Sequence, residues 1–295
     1  FRNAFWFIFG SAAATFGFNT SQTLMPLHMQ RVGLNPEQIA LIMSARWWIG
    51  IPLILYISHL TDHWQGRRGR RTPFLMLSLP FMVAGMVFFP FVGTAIGCLI
   101  VFTIFAFFMQ VKYDTYPLLV YDVAKYKYWG RMAGIMLVMG NLATWLGQVV
   151  LMPMTDTHGE KTVYLLAGII LFLATILTIV FVKEPPIVSP EPPMWNPLPV
   201  IKATLRVGFS DKRNIWLFLA YALSCGPWVV LNNIALQARV NLHMTDGDIG
   251  KHVLAYGTLA ATIVAVIVGW TIDKIGPVKA ITIGYVVFIA SAIIG

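Results

Sequence analysis

Apolar residues along this chain fall in blocks of about twenty, the length that crosses a hydrocarbon core of about 30 Å, and short polar stretches divide them. The pattern predicts helices over about residues 4–27, 36–60, 74–92 and 94–121, a fifth ending near Met154 and a sixth ending near Val182. Asn35 stands at an N-cap, with Pro36 at the first helical position and Gln38 completing a capping box. The polar residues 155–161 read as the loop after the fifth helix. Seven prolines in 184–199 cannot continue a helix and predict an extended linker. Leu198, Ile201, Leu205 and Phe209 then recur about once per turn with Lys202 and Arg206 between them, the pattern of a short helix lying in a membrane interface. Ser210 or Asp211 caps a seventh span to about Val240, interrupted at Gly226–Pro227. Thr245 and Asp248 cap an eighth, and a short loop over 273–279 leads into a ninth.

Composition agrees. The 295 residues are 58% hydrophobic and 11% charged, with mean hydropathy +0.73; a soluble domain carries about 25% charged residues. The fold class is therefore all-α, a polytopic membrane protein. The net charge of +9 is unevenly placed. Fifteen of the 21 Lys and Arg fall on one side of the predicted spans, while Arg31, Lys161, Arg239 and Lys251 fall on the other and Arg46 and Lys112 lie inside helices. By the positive-inside rule the first side is cytoplasmic, in an inner or plasma membrane. The charge is thus a topology signal, with no nucleic acid implied. Cys98 and Cys225 lie in apolar runs, with no disulfide framework and no metal spacing. No cofactor and no metal are expected. The chain opens at Phe1 directly into an apolar run, without a recognisable cleavable leader, and stops at Gly295 inside another. A piece of a longer protein is expected.

The most polar stretch between helices is 58–73, where Asp62, Gly66, Arg67, Arg68, Gly69, Arg70 and Arg71 crowd a short turn. Part of it recurs. Residues 33–39 are answered by 242–249, and Asp62 with its basic loop by Asp273, Lys274 and Lys279, both at an offset of about 210. Asn19 and Gln22 of the first span are answered by Asn232, Asn233 and Gln237 of the seventh. The organisation predicted is a six-helix bundle over 1–183, a cytoplasmic proline-rich linker with an interfacial helix over 184–212, and the start of a second bundle over 213–295, truncated in its third helix. Two such halves are the plan of major facilitator transporters.

The loops carry a resemblance to that superfamily. Gly269 to Lys279 fits its Gly-x-x-x-Asp-(Arg/Lys)-x-Gly-Arg-(Arg/Lys) signature, with Pro277 in place of arginine. The first copy has Ser58 for the opening glycine, His63 for the basic residue and extra residues before Gly66. Its ending, Gly69-Arg70-Arg71-Thr72-Pro73-Phe74, resembles the glycoside–pentoside–hexuronide:cation symporters and the related sucrose carriers, as do Asp114-Thr115-Tyr116-Pro117 and Gly130-Arg131-Met132-Ala133-Gly134. The resemblance implies a secondary transporter that moves a sugar or glycoside with a cation across the bilayer. In the melibiose-permease branch, sodium-binding acids follow an Ala-Arg pair. Here Ala45-Arg46 is followed by Ile49 and Leu53 at those positions. A proton is therefore the expected coupling ion, with sodium as the alternative.

Charges inside a bilayer cost about 2.5–3.5 kcal/mol each on insertion scales and mark function by default. Asp114 is expected to take up the proton and bind sugar hydroxyls, with Arg46 as its charge partner; a fixed ion pair between two helices is the bland alternative. Lys112 is a weaker candidate for the substrate or ion site: it lies two residues from Asp114 and cannot face the same cavity squarely, and snorkelling toward the cytoplasm is the bland alternative. Asn19, Gln22, Asn232, Asn233 and Gln237 offer neutral amides to an uncharged solute, or serve only as interhelical hydrogen bonds. Gly134, Gly140 and Gly147 are expected to let helices pack closely. The arginine loop, with Arg131 of the next loop, sets topology and braces a cytoplasmic gate. Rival functions are a carrier of an amphipathic lipid or drug-like molecule, an intramembrane enzyme, and a transport-dead sensor. The enzyme lacks a constellation: His59, His63, His158 and His243 are in or beside loops, and His28 is at a helix end without a spaced cysteine or acid. A monomer is expected, and the piece alone is not expected to transport.

Overall fold

The computed structural model describes residues 2–64, 66, 68–123, 129–184 and 194–275, with short pieces between 279 and 286. The side chains of 220–233, 268–274 and a few other helical positions, Arg131 among them, lie outside the description. Helix α1 spans Arg2–Arg31 and continues through Pro26, four residues past its expected end. Helix α2 spans Pro36–His63 and starts on the predicted capping box: Gln38 N donates to Asn35 Oδ1 at 2.8 Å and Asn35 N donates to Gln38 Oε1 at 3.0 Å. Helix α3 (Thr72–Phe88) ends in a 3-10 turn over Phe89–Phe91, and α4 covers Ala95–Val123.

The next rod differs from expectation. Helix α5 (Trp129–Leu146), a π-turn over Gly147–Leu151 and α6 (Met152–His158) run on without a loop. Residues 155–158 are therefore helical. Pro153 lies just past the π-turn, inside the continuous rod, where membrane helices tolerate proline because neighbouring groups re-satisfy the freed backbone. The stop is Gly159, whose φ of 81° is the left-handed region that glycine enters without strain. Helix α7 (Glu160–Phe181) follows.

Helix α8 (Pro197–Ser210) is the predicted interfacial helix, with Leu198, Val207 and Phe209 exposed and Val200 buried. It leads through a single residue, Asp211, to α9 (Lys212–Leu242), where Asp211 accepts from Arg213 N at 2.8 Å. The expected interruption at Gly226–Pro227 is not there; the helix is continuous. Proline is tolerated in membrane helices because neighbouring groups re-satisfy the freed backbone. Thr245 caps α10 (Asp246–Asp248), which passes through a second π-turn, Ile249–Leu254, into α11 (Ala255–Ile275). Five stretches among the described residues are long and apolar enough to cross a membrane: Pro36–His63, Thr72–Phe91, Ala95–Val120, Met132–His158 and Glu160–Phe181.

Helix α1 packs on α5 and α7, α3 on α4 and α7, and α2 on α4. Helix α11 lies along α5, and α9 meets α1. Outward faces are apolar, with Phe88, Ile96 and Ile100 exposed. Lipid competes for such surfaces, so close packing and interhelical hydrogen bonds must hold the bundle. A Cβ on Gly140 would sit 2.7 Å from Thr15 Oγ1, and one on Gly147 would sit 2.6 Å from the Phe16 ring. These two glycines let α5 close on α1, while Gly134 faces open space. Buried polar links cross the same seams: Asn19 Nδ2 donates to Thr144 Oγ1 at 3.0 Å, and the Tyr116 hydroxyl donates to Phe7 O at 2.8 Å.

Candidate functional site

Between α1, α2 and α4 the structure assembles a chain of polar and aromatic groups. The Arg46 guanidinium lies 3.6 Å above the Phe18 ring, and Phe18 stacks on Tyr113 at 4.8 Å. Arg46 Nε and Nη2 reach Gln110 Oε1 at 3.4 and 3.5 Å. Gln110 Nε2 donates to Asp114 Oδ1 at 2.7 Å. Asp114 Oδ2 is buried with no hydrogen-bond partner. Arg46 and Asp114 are thus brought together, but through an amide. The expected direct pairing is replaced by a relay because Gln110 lies one helical turn before Asp114 on α4 and reaches Arg46 first. Gln110, Phe18 and Tyr113 were not singled out by sequence; the spacing of Gln110 and Asp114 was the available signal.

A small cleft lies between α1 and the π-turn after α5, lined by Asn19, Thr20, Thr23, Leu24, Thr144, Gly147, Gln148, Leu151 and Met152. The π-turn widens the helix where Gln148 projects, and Thr258 of α11 donates to Gln148 Oε1 at 2.8 Å. Hydroxyls and amides dominate the cleft's polar lining, and the lining contains no charged side chain. Asn19 lies in the lining. Gln22 is half-buried and outside it, and Gln237 is exposed on α9. The side chains of Asn232 and Asn233 lie outside the described residues.

Lys112 is placed elsewhere. It is fully buried, and its Nζ donates to Thr175 Oγ1 of α7 at 2.6 Å. It does not snorkel, because it sits on the inward face of α4 and Thr175 supplies an acceptor there.

The arginine loop forms a second cluster at the basic end of the bundle. Arg71 Nη2 donates to Asp62 Oδ1 at 3.2 Å, Arg70 Nη1 lies 3.6 Å from the same oxygen, and both arginines contact Asp122 at the end of α4. The hydrogen bond to Asp122 pushes the Arg70 pKa up against the effect of burial. Glu184 closes the cluster from the start of the linker. Its carboxylate accepts from Arg71 N at 3.0 Å, Thr72 N at 3.1 Å and Thr72 Oγ1 at 3.1 Å, capping the positive end of α3. Gly69 has φ 97°, and a Cβ there would lie 2.2 Å from Glu184 Oε2, so glycine is required on both counts. Gly66 backs against Trp64, and Arg68 Nη1 points at Met76 Sδ at 3.5 Å. Arg67 lies outside the described residues, as do the side chains of Arg131, Asp273 and Lys274; Lys279 is exposed. Sequence reading placed Asp62 here but missed Asp122 and Glu184.

The opposite end carries a third cluster. Arg31 at the end of α1 pairs with Glu160 of α7 and with Asp246 of α10, and Arg239 of α9 pairs with Asp246. His28 Nδ1 is 3.0 Å from Glu160 Oε1. His28 has no acid spaced along its own helix, as read from the sequence, but α7 supplies one. Its partner is 132 residues away, beyond any spacing a helix could reveal.

These features define an all-α, multi-pass integral membrane protein. The family model of the Major Facilitator Superfamily matches residues 7–295, and the chain belongs to that superfamily. No curated protein matches the sequence. Among solved structures, the in meso crystal structure of the POT family transporter PepTSo shares the fold, with a TM-score of 0.51 at 18% identity. The match covers 95% of this chain and 56% of that one, so the chain spans little more than half the length of that transporter.

Proposed function

We propose that the complete protein is a secondary active transporter that moves a sugar or glycoside together with a proton by alternating access, with its basic end in the cytoplasm. Superfamily membership and the PepTSo likeness support the transporter class. Asp114 carries the finer reading: it is the carboxylate held deep in α4 with one oxygen on Gln110 and the other free to accept a proton or a hydroxyl. Arg46 sits one amide away as a fixed positive charge, which favours release of the proton once the cavity changes face. Tyr113, exposed on α4, offers a ring to the apolar face of a pyranose, and the uncharged cleft between α1 and the π-turn suits neutral hydroxyls. Sodium is the alternative ion. A carrier of an amphipathic lipid or drug-like solute is the alternative class.

The test uses the full-length protein in proteoliposomes, with radiolabelled mono- and disaccharides under an imposed proton or sodium gradient. Proton-driven uptake, lost in Asp114→Asn, is the expected result. Sodium-driven uptake would replace the ion. No sugar uptake under either gradient by folded protein would remove the sugar reading.

A further inference from the structure

Helix α8 turns most of its surface away from the protein. Of its 14 residues only Val200 is buried. At about 100° per residue, Leu205, Leu198 and Phe209 share one face within an arc of about 40°, and all three are exposed. Lys202 and Arg206, exposed as well, follow each other along one flank of that stripe, and Val200 stands on the opposite side. The level of α8 is set by α2, which is long and apolar enough to cross a membrane. The Tyr56 hydroxyl donates to Trp195 O at 2.6 Å and Met194 N donates to His59 Nε2 at 3.2 Å, two turns and one turn before α2 ends at His63. Helix α8 therefore starts beside the end of a spanning helix. Trp195 and Trp216, one before α8 and one after it, are both exposed, and indole rings are favoured at headgroup level.

Charge at this level is one-sided. Over 194–216 the ionisable side chains are Lys202, Arg206, Lys212 and Arg213, all exposed, against Asp211 alone. The Asp211 carboxylate is engaged at the start of α9, where it accepts from Arg213 N at 2.8 Å. Arg70 and Arg71 at the same end of the protein are held by Asp62 and Asp122. Lys202, Arg206, Lys212 and Arg213 have no carboxylate partner among the described residues. An apolar stripe flanked by unpaired cations is complementary to a surface that offers acyl chains and, just above them, negatively charged phosphates. The leaflet around α2 is such a surface, and it lies within reach of α8 without any further partner.

We propose that α8 is a docking surface for anionic phospholipid, with Leu198, Leu205 and Phe209 among the acyl chains and Lys202, Arg206, Lys212 and Arg213 on the headgroup phosphates. A zwitterionic headgroup brings no net charge, so α8 sits more shallowly and less tightly on a leaflet made of it alone. Each Lys or Arg near an anionic surface strengthens the attraction about fivefold, and salt weakens it. Asp211 alone separates α8 from α9. Headgroups bound at Lys202 and Arg206 and at Lys212 and Arg213 thus hold that joint from both sides. The surface is separate from Asp114 and is the same whichever solute is carried.

The test is a depth measurement on the full-length protein in vesicles. A spin label at Leu205→Cys, with the protein's other cysteines replaced by alanine, reports its depth by collision with oxygen, which enters the acyl region, and with a water-soluble nickel chelate. Phosphatidylglycerol is titrated into phosphatidylcholine vesicles. The expected result is a label that moves from the chelate toward oxygen as phosphatidylglycerol rises, and moves back when salt is added. Lys202→Gln and Arg206→Gln should each raise the half-saturating phosphatidylglycerol fraction about fivefold. Lys212→Gln, on α9, should act in the same direction. All three positions are exposed, so an unchanged thermal unfolding midpoint shows that the variants are folded. A label equally deep in phosphatidylcholine alone, or one in contact with the chelate at every composition, would overturn the proposal, as would a titration of the Lys202→Gln, Arg206→Gln double variant that matches wild type. Because uptake is not the readout, failure of the proposed transport reaction would be seen separately.

Discussion

Gln110 stands between Arg46 and Asp114, accepting from the guanidinium through Oε1 and donating to the carboxylate at 2.7 Å through Nε2. Leucine at 110 would leave Asp114 with neither oxygen hydrogen-bonded and Arg46 without its acceptor. A hydrogen bond to a charged group is worth about 1.5–3 kcal/mol, and about 1.4 kcal/mol is tenfold. Gln110→Leu should therefore lower gradient-driven uptake by about tenfold or more, measured as initial rates in proteoliposomes. Rates equal to wild type would reduce Gln110 to a packing residue.

Asn19 separates a structural role from a binding one. Its bond to Thr144 is a single interhelical hydrogen bond, of a kind that averages about 0.6 kcal/mol in a membrane protein. Asn19→Ala should barely move the thermal unfolding midpoint in detergent. Lining the cleft, it should nonetheless raise the half-saturating solute concentration several-fold. A large loss of stability with unchanged apparent affinity would reverse that assignment.

Lys112 and Thr175 predict an asymmetric pair of variants. Lys112→Met replaces a buried ammonium by an apolar chain of similar length, an exchange that is often neutral or stabilising. Thr175→Val keeps the ammonium buried and removes its acceptor, at a cost of about 1.5–3 kcal/mol. Thermal unfolding of the two variants should therefore diverge, with Lys112→Met the more stable. The opposite order would mean that Lys112 has a task beyond holding α4 to α7.

Gly69→Ala meets two obstacles at once. The left-handed backbone costs about 1–3 kcal/mol for a residue with a Cβ, and that Cβ would fall on the Glu184 carboxylate. Displacing Glu184 strips the N-terminus of α3 of its cap. A lowered unfolding midpoint is expected. Combining it with Glu184→Ala should add less than the two single losses, because both act through one contact.

The helices were legible because their signals are local. The box at Asn35 and Gln38, the caps at Asp211 and Thr245 and the apolar stripe of α8 each lie within a few residues. Lys112 shows where local reasoning stops: helical geometry separates it from Asp114, but only α7 decides that Thr175 waits on its side. Asp122 hides at the end of an apolar run, 52 residues from Arg70, and Glu184 hides among prolines that read as linker. Arg31 and Asp246 come from different halves, 215 residues apart, and neither marks the other. The π-turn that opens α5 at Gln148 has no signature beyond Gly147, which reads equally well as a packing glycine.

The positions of Glu184 and Trp195 change what the proline-rich stretch is for. Glu184 is fastened to the start of α3, and ten residues later Met194 N donates to His59 Nε2 at 3.2 Å and the Tyr56 hydroxyl donates to Trp195 O at 2.6 Å, both on α2. Both described ends, Glu184 and residues 194–195, are thus held by hydrogen bonds to α2 and the start of α3. From α8 to α9 the chain passes through a single residue, Asp211. Doubling a flexible loop costs only about 0.6 kcal/mol. Extra residues inserted among these prolines should leave the placement of α8 against α2 untouched, whereas one residue inserted beside Asp211 alters the joint between α8 and α9 itself.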